Sequence, residues 1–251
     1  MNNIKKLRKY FRSFMIDGYL VPKNDEYFNE YVSRSSDRLK FISNFSGSAG
    51  FAIILKNKNY LFVDGRYTIQ ARIQSAKNFK IFTIPQKFPK HVLKTQKKLV
   101  IGFDPKLYNE NQLSFLFNSK NVVLKPISKN LIDSIWSSKP KDFAKPFFSL
   151  SKKEAGENTQ VKINKVKNFL LKNNAEYLFV TAPENVAWIL NIRGYDSEFS
   201  PIPNARLLIN KKGDIDFFSQ SRKLVKIKKK LSKKIKFHHE YKIERKLRKL
   251  W

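Results

Sequence analysis

The stretch 44–67 constrains this chain more than any other. Residues 51–55, Phe-Ala-Ile-Ile-Leu, and 60–64, Tyr-Leu-Phe-Val-Asp, are apolar at almost every position, and the polar, turn-forming Lys56-Asn-Lys-Asn joins them. An apolar run without alternation suits a strand covered on both faces, so the pair predicts a hairpin in the middle of a sheet. Gly47 and Gly50 bracket the start of the first strand, where a missing Cβ allows close backbone approach. Asp64-Gly65 ends the second strand and caps a helix beginning near Arg66, with Ile69, Ala71, Ile73 and Ala76 supplying its apolar contacts. Ser46 and Ser48 are not a nucleophile elbow, because no glycine stands two before either serine, and no lysine-containing phosphate loop is present.

The rest of the chain supplies companions for that hairpin. Ile4, Leu7, Phe11, Phe14 and Met15 recur at helical spacing among lysines and arginines, which predicts an amphipathic helix over 4–15 lying on the sheet. Gly18-Tyr-Leu-Val-Pro reads as a strand, and Ser35-Ser-Asp caps a helix carrying Leu39 and Ile42. Further strands are expected at 80–84, 99–103 and 122–124, with a helix over 109–119. The Pro-containing stretch 137–150 reads as a linker between a first domain, 1–136, and a second, 151–251. In the second, a long helix marked by Val161, Ile163, Val166, Phe169 and Leu170 precedes a strand at 176–181 and a helix at 183–191. A hairpin of 205–210 and 215–219 turns at Lys212-Gly213. Strands separated by helices make both halves α/β, with a mixed or mostly parallel sheet.

Between the first strand and its helix lies the loop 23–33. Asp25, Glu26, Glu30 and Tyr31 crowd into seven of its residues, more acid than this basic chain carries elsewhere. Those groups suit either a solvated connection or a surface leaning over a cation or amine.

The net charge of +31 suggests nucleic acid, yet lysine is scattered through nearly every segment and arginine, the better bidentate phosphate ligand, is sparse. A stand-alone oligomerisation or interaction module, or a basic binder of nucleic acid or an anionic surface, is therefore kept only as the alternative function. Residues 222–236 hold nine basic residues and no acid, and Leu224, Ile227, Leu231 and Ile235 predict a helix there with one cationic face. There is no cysteine, which excludes disulfides and thiolate chemistry. The three histidines are His91, in a basic loop, and the neighbours His238 and His239, whose side chains would point apart on a strand, so neither a catalytic nor a metal-ligating set is found. No run approaches the roughly 18–20 apolar residues that cross a bilayer, so a cytoplasmic protein without a membrane partner is expected.

The sequence resembles the amino-terminal part of the creatinase/aminopeptidase P family, in its long, three-domain Xaa-Pro aminopeptidase form. The matching residues are Asp25-x4-Glu30-Tyr31, Phe45-Ser-Gly-Ser-Ala-Gly, Asp64-Gly-Arg-Tyr-x2-Gln70-Ala71 and Gly102-Phe-Asp-Pro. Asn130-Leu-Ile-Asp-Ser-Ile-Trp136-x3-Pro140 and the run from Thr181 through Trp188 to Gly194 continue them in the family's order. The chain departs from the family at Tyr27, Leu39, Asn44 and Asn185, where histidine, arginine, glycine and an acid are usual.

The resemblance implies two tandem creatinase-type amino-terminal domains, each a mixed sheet flanked by helices, with the second one truncated. It further implies that the pita-bread catalytic domain and its dinuclear manganese site lie outside this chain, so the chain itself has no cofactor and no peptidase activity. In relatives these domains wall the cleft and pair subunits. Asp25, Glu30, Tyr31 and Arg66 are therefore the expected cleft-wall or interface residues. A second copy, or a separately encoded catalytic domain, is the expected partner, and peptide is expected to be met only with that domain.

Overall fold

The computed structural model describes residues 2–93, 98–141, 145–228, 231 and 233–250. They fall into two compact units, Met1–Lys141 and Asp142–Trp251.

In the first unit the chain runs α1 (Asn2–Ser13), β1 (Gly18–Pro22), α2 (Arg38–Ser43), β2 (Gly50–Leu55) and β3 (Asn59–Asp64). It continues through α3 (Thr68–Ser75), β4 (Lys80–Ile84), α4 (Pro89–Val92), β5 (Leu99–Phe103), α5 (Glu110–Phe117), β6 (Val122–Pro126) and α6 (Leu131–Ile135). The six strands form one mixed sheet in the order β4-β3-β2-β1-β5-β6. β2 is antiparallel to β1 and β3, while β1, β5 and β6 run parallel, as do β3 and β4.

The unbroken apolar runs are explained by cover on both faces. Ala52, Ile54, Leu61 and Val63 point into a core with Leu7 and Phe11 of α1, Leu39 of α2 and Leu131 of α6. The alternate residues Phe51, Ile53, Tyr60 and Phe62 enter a second core with Leu113 and Phe117 of α5. Each fully buried leucine or isoleucine contributes on the order of 1.5–3 kcal/mol, so a one-residue slip of β2 against β3 would be strongly disfavoured. The glycines before β2 have a steric reason. A Cβ on Gly50 would sit 2.7 Å from the Phe62 carbonyl oxygen, and one on Gly47 would sit 2.3 Å from the Phe45 ring. Asn44 ends α2 in the left-handed region (φ 65°) with its N–H bonded to the Lys40 carbonyl, a conformation asparagine tolerates better than most residues.

Three expectations for this unit need correction. Ile69 and Ile73 do not pack inward: they are 75% and 81% exposed, because α3 turns the small Ala71 and Ser75 toward the sheet instead. Met15 lies beyond the end of α1 and is also exposed. His91 is in the short helix α4, where its Nδ1 accepts the Phe88 N–H, and not in a loop.

The second unit runs β7 (Phe148–Ser149), α7 (Lys152–Ala155), α8 (Thr159–Lys172), β8 (Tyr177–Val180), α9 (Pro183–Leu190) and β9 (Ile192–Arg193). After these come β10 (Arg206–Asn210), β11 (Ile215–Phe218), β12 (Ile235–His238) and α10 (Ile243–Leu247). Its main sheet has the order β12-β11-β10-β8, with β10 antiparallel to both neighbours and β12 parallel to β11. β7 pairs with β9. Of the stretch read as linker, 142–144 lie outside the described residues, whereas Phe147 is fully buried in this unit's core.

Among the described residues of 222–236 the expected helix is not found. A 3-10 turn at Ser221–Leu224 leads into further turns, and Ile235 begins β12. Lys229, Lys230 and Ser232 lie outside the described residues. Leu224, Ile227 and Ile235 are buried nonetheless, so the apolar spacing marked core contacts without a continuous helix. Lys223 is buried against Asp196 at 2.7 Å, each side chain less than a tenth exposed, and so belongs to no open cationic face. On α8, Val161 and Phe169 are exposed while Ile163 and Leu170 face the core. Among the described residues no helix is long and apolar enough to cross a membrane.

Candidate functional site

The acid-rich loop leaves β1 at the carboxyl end of the parallel set β1, β5 and β6, where open α/β sheets characteristically place their polar groups. Asn24 anchors it by donating from Nδ2 to the Leu107 carbonyl at 3.0 Å. Asp25 then turns inward. Its carboxylate accepts the Tyr27 and Asn29 N–H groups at 2.9 and 3.1 Å and Asn29 Nδ2 at 2.9 Å. Burial pushes the Asp25 carboxyl up from its ordinary value, and these three donors pull in the opposite direction without cancelling it. Asp25 is thus the internal fastening of the loop.

The other three expected residues are placed differently. Glu30 is exposed and Tyr31 half-buried. Arg66 is exposed and folds back on its own neighbour: Nε donates to Asp64 at 2.8 Å, and the guanidinium lies 5.5 Å from the Tyr67 ring. The Asp64 carboxyl is held down by that hydrogen bond. No bond links Arg66 to Asp25, Glu30 or Tyr31, so the four make no single constellation.

What the loop does assemble is a polar cluster around Arg38. From the first turn of α2, Arg38 donates Nε and Nη2 to the two oxygens of Asp133 on α6 at 2.9 and 2.8 Å, and Nη2 also donates to Glu26 at 2.7 Å. The arginine side chain is only 4% exposed, against 29% and 31% for the two acids. Burial alone would lower the guanidinium's pKa, but the bonds to Asp133 and Glu26 outweigh it and raise it. Burial likewise pushes Asp133 up, and Arg38 with Lys139 pulls it further down. Beside this fork, Asn130 caps α6 and donates to buried Asp104 at 2.8 Å, Leu131 N–H donates to the Tyr19 hydroxyl, and Lys23 pairs with Asp37 at 2.6 Å. Burial raises the Tyr19 hydroxyl's pKa, so it stays protonated.

This cluster holds three segments, 23–37, α2 and α6, to one end of the sheet. Its chemistry is positional: every acid in it is already neutralised or capped, and neither a histidine nor a free nucleophile is present. Sequence reasoning did not single out Arg38 and Asp133, although Asp133 lies within a matched motif. An arginine set beside Leu39 and Ile42 in a short apolar helix was the signal of a buried partner.

Among the described residues, no three histidine, aspartate or glutamate side chains converge as a metal ion requires. Asp216 in the second unit meets His238 Nε2 at 2.6 Å and Lys246 Nζ at 2.9 Å. The donor set of the described residues does not fit a dinuclear metal centre.

Comparison with known proteins agrees with the two-unit division. Residues 3–134 and 138–251 each match a model described as creatinase/prolidase N-terminal domain. A probable Xaa-Pro aminopeptidase P of Coprinopsis cinerea is 34% identical over 207 residues, which is 78% of this chain and 33% of that protein. Aminopeptidase P1 of Lotus japonicus is 30% identical over 247 residues, 95% of this chain and 36% of its own length. The chain therefore spans about a third of the length of these curated relatives. Among solved structures, the X-prolyl aminopeptidase of Caenorhabditis elegans, described as a cytosolic enzyme with a di-nuclear active site, aligns at 25% identity with a TM-score of 0.88. The alignment covers 99% of this chain and 44% of that one. With a family match across each of its two mixed-sheet units, this chain belongs to the creatinase/prolidase N-terminal domain family and carries two such domains in tandem.

Proposed function

We propose that this chain is the non-catalytic amino-terminal part of a metal-dependent Xaa-Pro aminopeptidase, working in the cytoplasm to wall the substrate cleft and to pair subunits. The observation that carries this reading is the fixed polar cluster around Arg38 in a fold shared with X-prolyl aminopeptidase, in a chain whose described residues bring together no metal-binding group of histidines and acids. In this reading a peptide with proline second is cleaved only where a second polypeptide region supplies the metal and the general base. Glu30, Tyr31 and Arg66, which lie outside the Arg38 fork, are the residues proposed to face such a partner.

A chimera tests the proposal. The chain is fused ahead of the catalytic portion of the Coprinopsis cinerea relative, and hydrolysis of short and long peptides with proline second is compared with that of the catalytic portion alone. Restored preference for short peptides is expected. A folded chimera with the activity and length preference of the isolated catalytic portion would overturn the proposal.

A further inference from the structure

Helix α3 has two occupied faces and one open one. Ala71 and Ser75 face the sheet, and Ser75 Oγ donates to the Ser43 carbonyl at 2.8 Å. Gln70 and Gln74 both hold Ser46 Oγ, at 2.8 and 2.9 Å, and Gln74 Oε1 accepts the Ser46 N–H. At 100° per residue these contacts leave a contiguous arc of Ile69, Arg72, Ile73 and Ala76 turned to solvent. The two isoleucines, 75% and 81% exposed, sit one turn apart at its centre. Arg66, Arg72 and Lys77 are exposed around them. Among the described residues Arg72 and Lys77 make no ion pair, and Arg66 pairs with Asp64.

We infer that this face of α3 is a docking surface for an acidic amphipathic polypeptide segment, whose apolar side covers Ile69 and Ile73 and whose carboxylates meet Arg72 and Lys77. The inference does not depend on the aminopeptidase reading. Two observations select this occupant. A second copy of the chain, related by a two-fold axis, would bring Arg66, Arg72 and Lys77 against their own counterparts, and like charges so juxtaposed oppose association. A lipid surface is entered by helices with a long apolar stripe and interfacial aromatics, whereas this eight-residue helix offers two isoleucines and is fixed by its glutamines to the Ser46 loop. A rigid, preformed apolar centre with a cationic rim is the arrangement that a complementary acidic chain recognises at low ordering cost.

The test uses the full chain and a fluorescent synthetic helix of about 14 residues with leucine at i, i+3, i+4 and i+7 and glutamate elsewhere. Binding is read by anisotropy at about 0.15 M salt, and its location by hydrogen exchange. Expected are saturable binding, slowed exchange within 66–77, and roughly tenfold weaker binding for Ile73→Ser and for Arg72→Glu. Because both positions are exposed, these variants should keep the parent's melting profile. The inference is overturned if a control peptide with serine for leucine binds equally well, or if the variants bind like the parent, since either result means charge attraction alone. It is equally overturned if sedimentation shows an Ile73-dependent dimer, or if Ile73-dependent binding appears with phosphatidylserine vesicles and not with the peptide.

Discussion

Replacing Arg38 by methionine removes the charge that joins the acid-rich loop, α2 and α6 while keeping most of the side chain's length. Breaking a buried ion pair by deleting one partner costs about 3–5 kcal/mol. Here the two acids left behind are each about 30% exposed, so water partly re-solvates them and the figure falls to about 2–3 kcal/mol. Arg38 Nη1 is also buried without a hydrogen-bond partner, and losing it removes a small unfavourable contribution. For a unit of this size, about 2–3 kcal/mol lowers the melting temperature by roughly 5–10 °C. Urea and thermal unfolding at neutral pH, followed separately for each unit, measures this, and the second unit's transition should not move. The acid limb gives an independent readout. Because the folded pKa of Asp133 lies below its unfolded value, its contribution is fully present above about pH 5 and is lost as pH falls below about 4 through the folded value. Arg38→Met should flatten that part of the profile. A variant as stable as the parent at pH 7, with an unchanged acid limb, would refute the argument that this fork anchors the loop.

Three further outcomes follow from the same structure. Asp25→Ala strands the Tyr27 and Asn29 donors and should cost about 2–3 kcal/mol, whereas Asp25→Asn keeps an acceptor, removes a buried charge and should be neutral or slightly stabilising at pH 7; denaturation midpoints decide, and equal losses in both variants would count against the fastening role. Gly50→Ala places a Cβ against the Phe62 carbonyl and should destabilise the first unit by about 2–3 kcal/mol, with the second unit's melt unaffected; a silent substitution would contradict the close approach. Lys223→Leu leaves Asp196 buried without its cation, held among the described residues only by the Asn204 N–H, and should cost the second unit about 3–5 kcal/mol, read by the same two-transition melt.

Much of the fold was legible because it rests on local patterns. β2 and β3 announced themselves as doubly covered strands, and Asp37 as a helix cap, since each signal depends on a few adjacent residues. The inward face of α3 was misread because its buried side chains are small: Ala71 and Ser75 carry little hydrophobic signal, while Ile69 and Ile73 carry a great deal. In 222–236 the apolar spacing fitted a helix by coincidence, and the Ile-Lys-Phe-His alternation of β12 was the competing signal that prevailed. The candidate site was the least legible part. Arg38 and Asp133 are 95 residues apart, and only the sheet order brings them together. Asp25 looked reactive because a carboxylate that caps its own loop has the same one-letter identity as one that faces a ligand.

The central claim is that this polypeptide organises a peptidase without supplying its reactive centre. The most direct measurement incubates the purified chain with manganese and a peptide bearing proline second, and follows both release of the first residue and metal retained after desalting. The account predicts no chelator-sensitive release and well under one bound metal ion per chain. Hydrolysis abolished by chelator, or two divalent ions retained per chain, would contradict it.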